Sequence, residues 1–277
     1  MTAVSSTNEP DTAWISPPLS PTTLNSRKAV ETLCEVFKRG IGRTCCPRML
    51  FDGLTLSQMR PTRHSLDIEE PSASLAALLD GHRKFTLKEK RVLAVILAHS
   101  VLHFCESPWM SRQWNKNHVS FFKFSKQGDF NLEKPWLSPD FANSCVPEDV
   151  DELNRIHPNP SVLALGILLL EIELGDSLES FRETSDLSIE GFEDCNTSFF
   201  TAHHVWENKL DNVYWGYKAA VQACLNCDFF ETEDGNPLSL ENEDFHEAVY
   251  KHIVRPLEEE LWSACHVRPD EIGLEKF

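Results

Sequence analysis

Two segments of this chain are apolar around nearly the whole circumference that a helix would present: residues 87–105, LKEKRVLAVILAHSVLHFC, and residues 161–174, SVLALGILLLEIEL. A helix that is hydrophobic on every side must be covered on every side, so the fold has to wrap both segments in other elements. The apolar run Val162 to Leu170 falls well short of the ~18 residues that cross a bilayer, so it reads as a buried helix and no membrane span is expected. The second segment is punctuated at both ends. Asn159 supplies a cap oxygen, Pro160 fits a first helical turn, and Gly175 suits the stop. With 277 residues and 41% hydrophobic composition, the chain has material enough for such a core.

The remaining elements are lighter. Residues 1–26, with Pro17, Pro18 and Pro21 among many Ser and Thr, show no apolar period and read as a disordered tail. Its Ser16-Pro17 and Ser20-Pro21 pairs have the form that proline-directed kinases accept, or they belong to an idle linker. Val30, Leu33, Cys34 and Phe37 fall at helical spacing over Arg27 to Arg39, and Gly40 ends that pattern. RMLFDGLTLSQMR places two short apolar runs about Asp52-Gly53, a hairpin signal. Ser72 or Ser74 can cap a short helix, SLAALLDG, that stops at Gly81. Residues 106–158 are irregular apart from the strand-like run HVSFFKF. A third helix is expected over about 204–227, with Trp206, Leu210, Val213, Tyr214, Tyr217, Val221, Cys224 and Leu225 along one stripe. The last is expected over about 240–262, carrying Phe245, Val249, Ile253, Leu257 and Leu261 and kinked at Pro256.

Charge narrows the partners. Residues 27–91 hold 13 Lys or Arg against 8 Asp or Glu, whereas 92–277 hold 13 against 33, within a net charge of −17. An acidic body repels phosphate backbones, so nucleic acid and anionic membrane are not the expected partners. The N-terminus lacks a basic stretch followed by an apolar run, and nine cysteines show no repeating spacing. Both features suit a cytoplasmic protein, with the nucleus also open, whose thiols stay reduced.

The order of elements resembles the C-terminal lobe of protein kinases. SLAALL follows a hinge-like segment, a long helix ends in LHFC, VPED at 146–149 looks like the Ala-Pro-Glu motif, and SVLALGILLLEIELG begins thirteen residues after Glu148. Cys224-Leu225 with Asp228 is similar to a segment near the end of that fold. The likeness spans about 75–232. More closely, the chain is similar to a family of fungal kinase-like domains of unknown function, often placed behind HeLo-type N-terminal domains. The phrases that carry this are EKRVLAVILAHSVLHFCESPWMSRQW, HVSFF, PNPSVLALGILLLEI and YKHIVRPLEEEL.

The resemblance implies a mainly α (α+β) fold: a tail over 1–26, a truncated N-lobe-like segment of one helix and a hairpin over 27–74, and a kinase C-lobe-like helical domain over 75–277. It also implies lost chemistry. Aligned on Val119, Gln113 stands at the catalytic Asp, Asn115 at the Lys and His118 at the metal-binding Asn, while Ser161 replaces the Asp that supports the catalytic loop. Phosphoryl transfer needs those groups, and an amide is no base near neutral pH. Gly128-Asp129-Phe130 keeps one trace, since Asp129 is a possible nucleotide or magnesium residue and ATP with Mg a possible ligand; the alternative is a solvated loop Asp. Gly40-Ile41-Gly42 is a weak phosphate cradle. The expected function is therefore a catalytically inactive, regulatory or protein-interaction module, with a HeLo-type domain protein as the implied partner. A nucleotide sensor or enzyme using the old cleft is the alternative.

Trp109, Trp114 and Trp136 lie where a kinase holds substrate, and either anchor a partner or fill space left by missing catalytic groups. Cys224-x-x-Cys227 with His246 and His252 has the outline of a zinc site, but the helical stripe makes Cys224 a core residue. His99 and His103, four apart, lack an evident third ligand, and His203-His204 read as surface or cap at a helix start. No metal cofactor is expected.

Overall fold

The computed structural model describes residues 28–29, 45–52, 55–63, 68–105, 110, 114–124, 130–137, 154–231 and 238–274. The chain divides into two units, Met1–Asp67 and Ile68–Phe277.

The first unit contains three antiparallel strands, β1 (Lys28–Ala29), β2 (Cys45–Asp52) and β3 (Thr55–Arg63), in the order β1-β3-β2. β2 and β3 form the expected hairpin, with Asp52 opposite Thr55. The ladder slips between Cys46 and Arg48, around Pro47, which has no N–H to donate. The helix expected over Arg27 to Arg39 is corrected at its start: Lys28 and Ala29 pair with Gln58 and Ser57. An open edge of β3 offers backbone partners that local apolar spacing does not encode. The rest of that segment, the tail over 1–26 and Gly40-Ile41-Gly42 lie outside the described residues.

The second unit is mainly helical. A small antiparallel sheet combines β4 (Ile68–Ser74), β5 (Val119–Phe124) and β6 (Trp136–Leu137), in that order. β5 is the strand read from HVSFFKF. β4 had no local signal, and its register shifts between Glu69 and Ala73, the stretch that holds Pro71. Helix α1 (Leu75–Asp80) starts where Ser74 Oγ accepts the Ala77 N–H at 3.2 Å. α2 (Leu87–Phe104) opens on a capping box, Thr86 with Glu89. α3 (Pro160–Leu174) has Asn159 Oδ1 as cap acceptor and Gly175 in the left-handed conformation at its end. As their sequences require, α2 and α3 form the centre: Val92, Leu93, Val95, Leu97, Leu165 and Leu169 are fully buried. Each such side chain contributes roughly 1.5–3 kcal/mol when removed from water.

Two expected helices are each divided. Instead of one helix over 204–227, there are α4 (Thr197–Lys209) and α5 (Trp215–Asn226). Leu210-Asp211-Asn212 separates them. Asp and Asn compete for backbone hydrogen bonds and favour turns, while Leu210 stays fully buried and holds the turn inward. His203 and His204 consequently lie within α4 and not at a helix start. The last segment runs as α6 (Glu243–Val249), a π-helical turn over Tyr250–Val254, and α7 (Arg255–Cys265). Pro256 cannot donate to the carbonyl one turn before it, and the wider turn, with Arg255 N–H bonded to Tyr250 O, accommodates this in place of a simple kink.

α3 packs against α5. Gly166 makes this approach possible, since a Cβ there would lie 2.8 Å from Cys224 Cβ. The start of α3 is fastened to the same neighbour: His157 Nε2–H donates to Cys224 O at 2.9 Å, and Nδ1 accepts the Asn159 N–H at 3.1 Å. Burial keeps the His157 imidazole neutral and pushes its pKa down to about 4 from the ordinary 6.5. Between those values the unfolded chain binds a proton that the folded chain refuses, so stability falls as pH falls. The contribution is complete above pH 6.5 and is lost as pH drops through 4. Taking the wild type from pH 7 to pH 5 should remove about 2 kcal/mol at this site, at ~1.4 kcal/mol per pH unit. Urea melts should show that slope reduced in His157→Gln; an equal slope in both proteins contradicts the assignment. Among the described residues, no helix is long and apolar enough to cross a membrane.

Candidate functional site

Residues 114–118, between α2 and β5, lie where the resemblance puts a catalytic loop, and nearly every described polar group in the loop is engaged by the fold. Trp114 is 2% exposed, and its indole N–H donates to Ser161 O at 3.3 Å, in the first turn of α3. Ser161 itself is buried. Lys116 reaches the same helix further along. Its ammonium donates to Glu171 Oε1 at 2.7 Å and also pairs with Glu179. Glu171 Oε1 accepts the Leu178 N–H at 2.9 Å as well, tying the turn after α3 to the loop. The backbone adds a further tie, Ala76 N–H to Lys116 O at 3.2 Å, at the start of α1.

The electrostatics follow from burial. Burial raises the pKa of Glu171, opposed by the Leu178 amide and the Lys116 ammonium. Burial works against the charge on Lys116, yet the bonds to Glu171 and Glu179 outweigh it and hold the ammonium above its ordinary pKa. The loop tip bonds to itself: His118 Nδ1 accepts the Asn115 N–H at 3.1 Å, and Asn115 Oδ1 accepts the Asn117 N–H at 2.9 Å. Asn115 is exposed and His118 half-buried. Downstream, Asn131 Oδ1 accepts the Glu133 N–H at 3.0 Å, and Phe130 packs half-buried against the core. Chemically this arrangement positions a corner of the chain. The carboxylates beside Lys116 are held by its ammonium.

Of the residues singled out from sequence, the structure brings Trp114 and Ser161 together and places Asn115 and His118 on the adjoining turn. Gln113, Asp129, Trp109 and VPED lie outside the described residues. Trp114 fills space and offers no face to a partner. Trp136 is 53% exposed, its ring edge-to-face with Phe122 at 5.2 Å. The Cys224 and Cys227 thiols are buried, which raises the first well above the ordinary range and the second to about 12. His252 stacks on Phe229 at 5.1 Å, away from zinc-like use. His99 Nε2 lies 2.7 Å from Glu258 Oε1, and His103 stacks on His99 at 6.2 Å. Among the described residues, no three His, Cys, Asp or Glu side chains group as a metal site.

Sequence reasoning passed over Lys116 with Glu171, and a second buried cluster. Arg91 of α2, 1% exposed, places Nη1 2.5 Å from Glu173 Oε2 and Nε against Glu260 of α7, with its guanidinium 4.3 Å from the Tyr217 ring centre. The available signal was a charged residue on a face that the apolar pattern requires to be covered.

No curated protein matches the chain. A family model described as a domain of unknown function, DUF7580, matches residues 6–264, and the chain belongs to that family.

Proposed function

We propose that this protein is a catalytically inactive, kinase-like module that works through protein interaction, its former catalytic loop given over to bracing the fold. The observation that carries this reading is the pair of anchors from residues 114–118 to α3, Trp114 to Ser161 O and Lys116 to Glu171. Phosphoryl transfer requires a carboxylate free to orient a hydroxyl and a cation free to meet phosphate. Here the loop offers an amide and an indole, and its one ammonium is committed to two carboxylates. The similarity to fungal kinase-like domains makes a HeLo-type domain protein the proposed partner, testable by pull-down.

Incubated with labelled ATP, magnesium or manganese and generic protein acceptors, the purified protein should show no transfer above a heat-inactivated control. Millimolar ATP with magnesium should leave the melting temperature unchanged, because a ligand raises it only by binding the folded state. Transfer that disappears in Asp129→Ala overturns the reading.

A further inference from the structure

The face where α5 meets α7 carries an open cavity of about 500 Å³, lined in part by Tyr214, Trp215, Ala219, Pro256, Glu259 and Glu260. Its position is set by tight helix contact. Gly216 lets the backbones approach, since a Cβ there would stand 2.9 Å from Pro256 O. Glu260 Oε2 accepts the Tyr217 N–H at 2.5 Å, satisfying the first turn of α5, which has no cap from its own residues. The turn that divides α4 from α5 then leaves Tyr214 and Trp215 at the rim, 56% and 79% exposed.

An exposed indole beside a carboxylate is the chemistry that receives a cation, because the negative ring face and the acid both attract it. Elsewhere in this unit the same pairing is already made internally. Lys218 lies 5.6 Å from the Trp206 ring centre, Arg268 4.8 Å from Trp262, and Arg91 4.3 Å from Tyr217 and 6.0 Å from Tyr214 at the rim itself. Trp215 has no cation over its ring among the described residues, and it is the most exposed tryptophan of these. Glu259 pairs with Arg255 at 2.8 Å, both side chains more than 60% exposed, a kind of pair that holds weakly and exchanges readily. The surplus of 33 acidic over 13 basic residues across 92–277 draws cations toward this body and repels phosphates.

We infer that the α5–α7 cavity docks a basic segment of a protein partner, seating an arginine side chain on the Trp215 ring with Glu259 as its counter-charge. Arginine suits the site better than lysine, since its planar guanidinium stacks on an indole while still donating to a carboxylate. The inference rests on the reading of the chain as a binding module, and the two can fail separately. ATP transfer would overturn that reading and leave a peptide titration standing, whereas a failed titration would leave the ATP result untouched.

The probe is a labelled, end-blocked peptide of alternating arginine and alanine, followed by fluorescence anisotropy at low salt. Binding to the wild type should be measurable below about 1 mM, with a loss of about tenfold in Trp215→Ala and a smaller loss in Glu259→Gln. Trp215 is largely in solvent, so its removal takes nothing from the core; matching circular dichroism and melting curves check this. Affinity should fall with added salt and be absent for the glutamine analogue of the peptide. Equal binding by Trp215→Ala, equal binding of the glutamine analogue, or no binding at 1 mM overturns the proposal. A Trp215-dependent dimer seen by sedimentation would also overturn it, naming a second copy as the occupant.

Discussion

Arg91→Met should lower the unfolding free energy by about 3–5 kcal/mol, the usual effect of removing one member of a buried ion cluster. The side chain lies between α3 and α7, and its guanidinium meets Glu173 and Glu260 above the Tyr217 ring. Burial alone would lower the arginine pKa, but Glu173, Tyr217 and Glu260 together more than offset it. Without the cation, Glu260 remains buried with its own pKa already raised by desolvation, so ionising it becomes costlier still. For a unit of this size the loss corresponds to a fall in Tm on the order of 10 °C. The source of the loss can be separated from lost packing. Adding Glu173→Gln and Glu260→Gln to Arg91→Met removes the charge stranded at 260 and the one at 173, which Lys90 also meets at 3.5 Å, while an amide oxygen at 260 can still accept the Tyr217 N–H. The triple variant should therefore be more stable than the single one, and urea melts of both decide the matter. A single variant within about 1 kcal/mol of wild type contradicts this account.

Trp114→Ala should cost about 3–5 kcal/mol, the range for deleting a large buried aromatic. Its ring is 2% exposed, and its N–H holds Ser161 O. Trp114→Phe separates the two contributions. It keeps most of the volume and loses the hydrogen bond, for an expected ~1–2 kcal/mol. If Trp114→Ala unfolds at the same urea concentration as wild type, the loop is not braced by this residue and the proposed inert role of residues 114–118 loses its main support.

The extent to which these features were legible differs residue by residue. α2 and α3 were readable because their signal is local: apolar side chains on all faces, with Asn159, Pro160 and Gly175 at the ends of α3. The hairpin was readable for the same reason, its turn lying within a few residues of both strands. β4 was not, because its partner β5 is about fifty residues away and Ile68–Ser74 carries no alternating pattern. The break between α4 and α5 was missed because apolar positions continue in register across Leu210 to Tyr214, so periodicity alone cannot reveal a turn there. At the candidate site, the residue types at Gln113, Asn115, His118 and Ser161 could be read position by position. The anchoring by Trp114 and Lys116 could not, since Ser161 and Glu171 approach them only through the folded chain.

From its residues alone, this chain determined two enclosed helices, a hairpin and an acidic body, because each depends on side-chain type or short-range spacing. The tertiary structure decided which charges meet inside the protein and which aromatics remain outside. Arg91, Glu173 and Glu260 are far apart in sequence and adjacent in space, and burial makes their interaction strong. Trp114 and Trp215 are the same residue type with opposite fates, one sealed against α3 and one left in solvent at the start of α5. No local pattern distinguishes them; the packing of distant helices does.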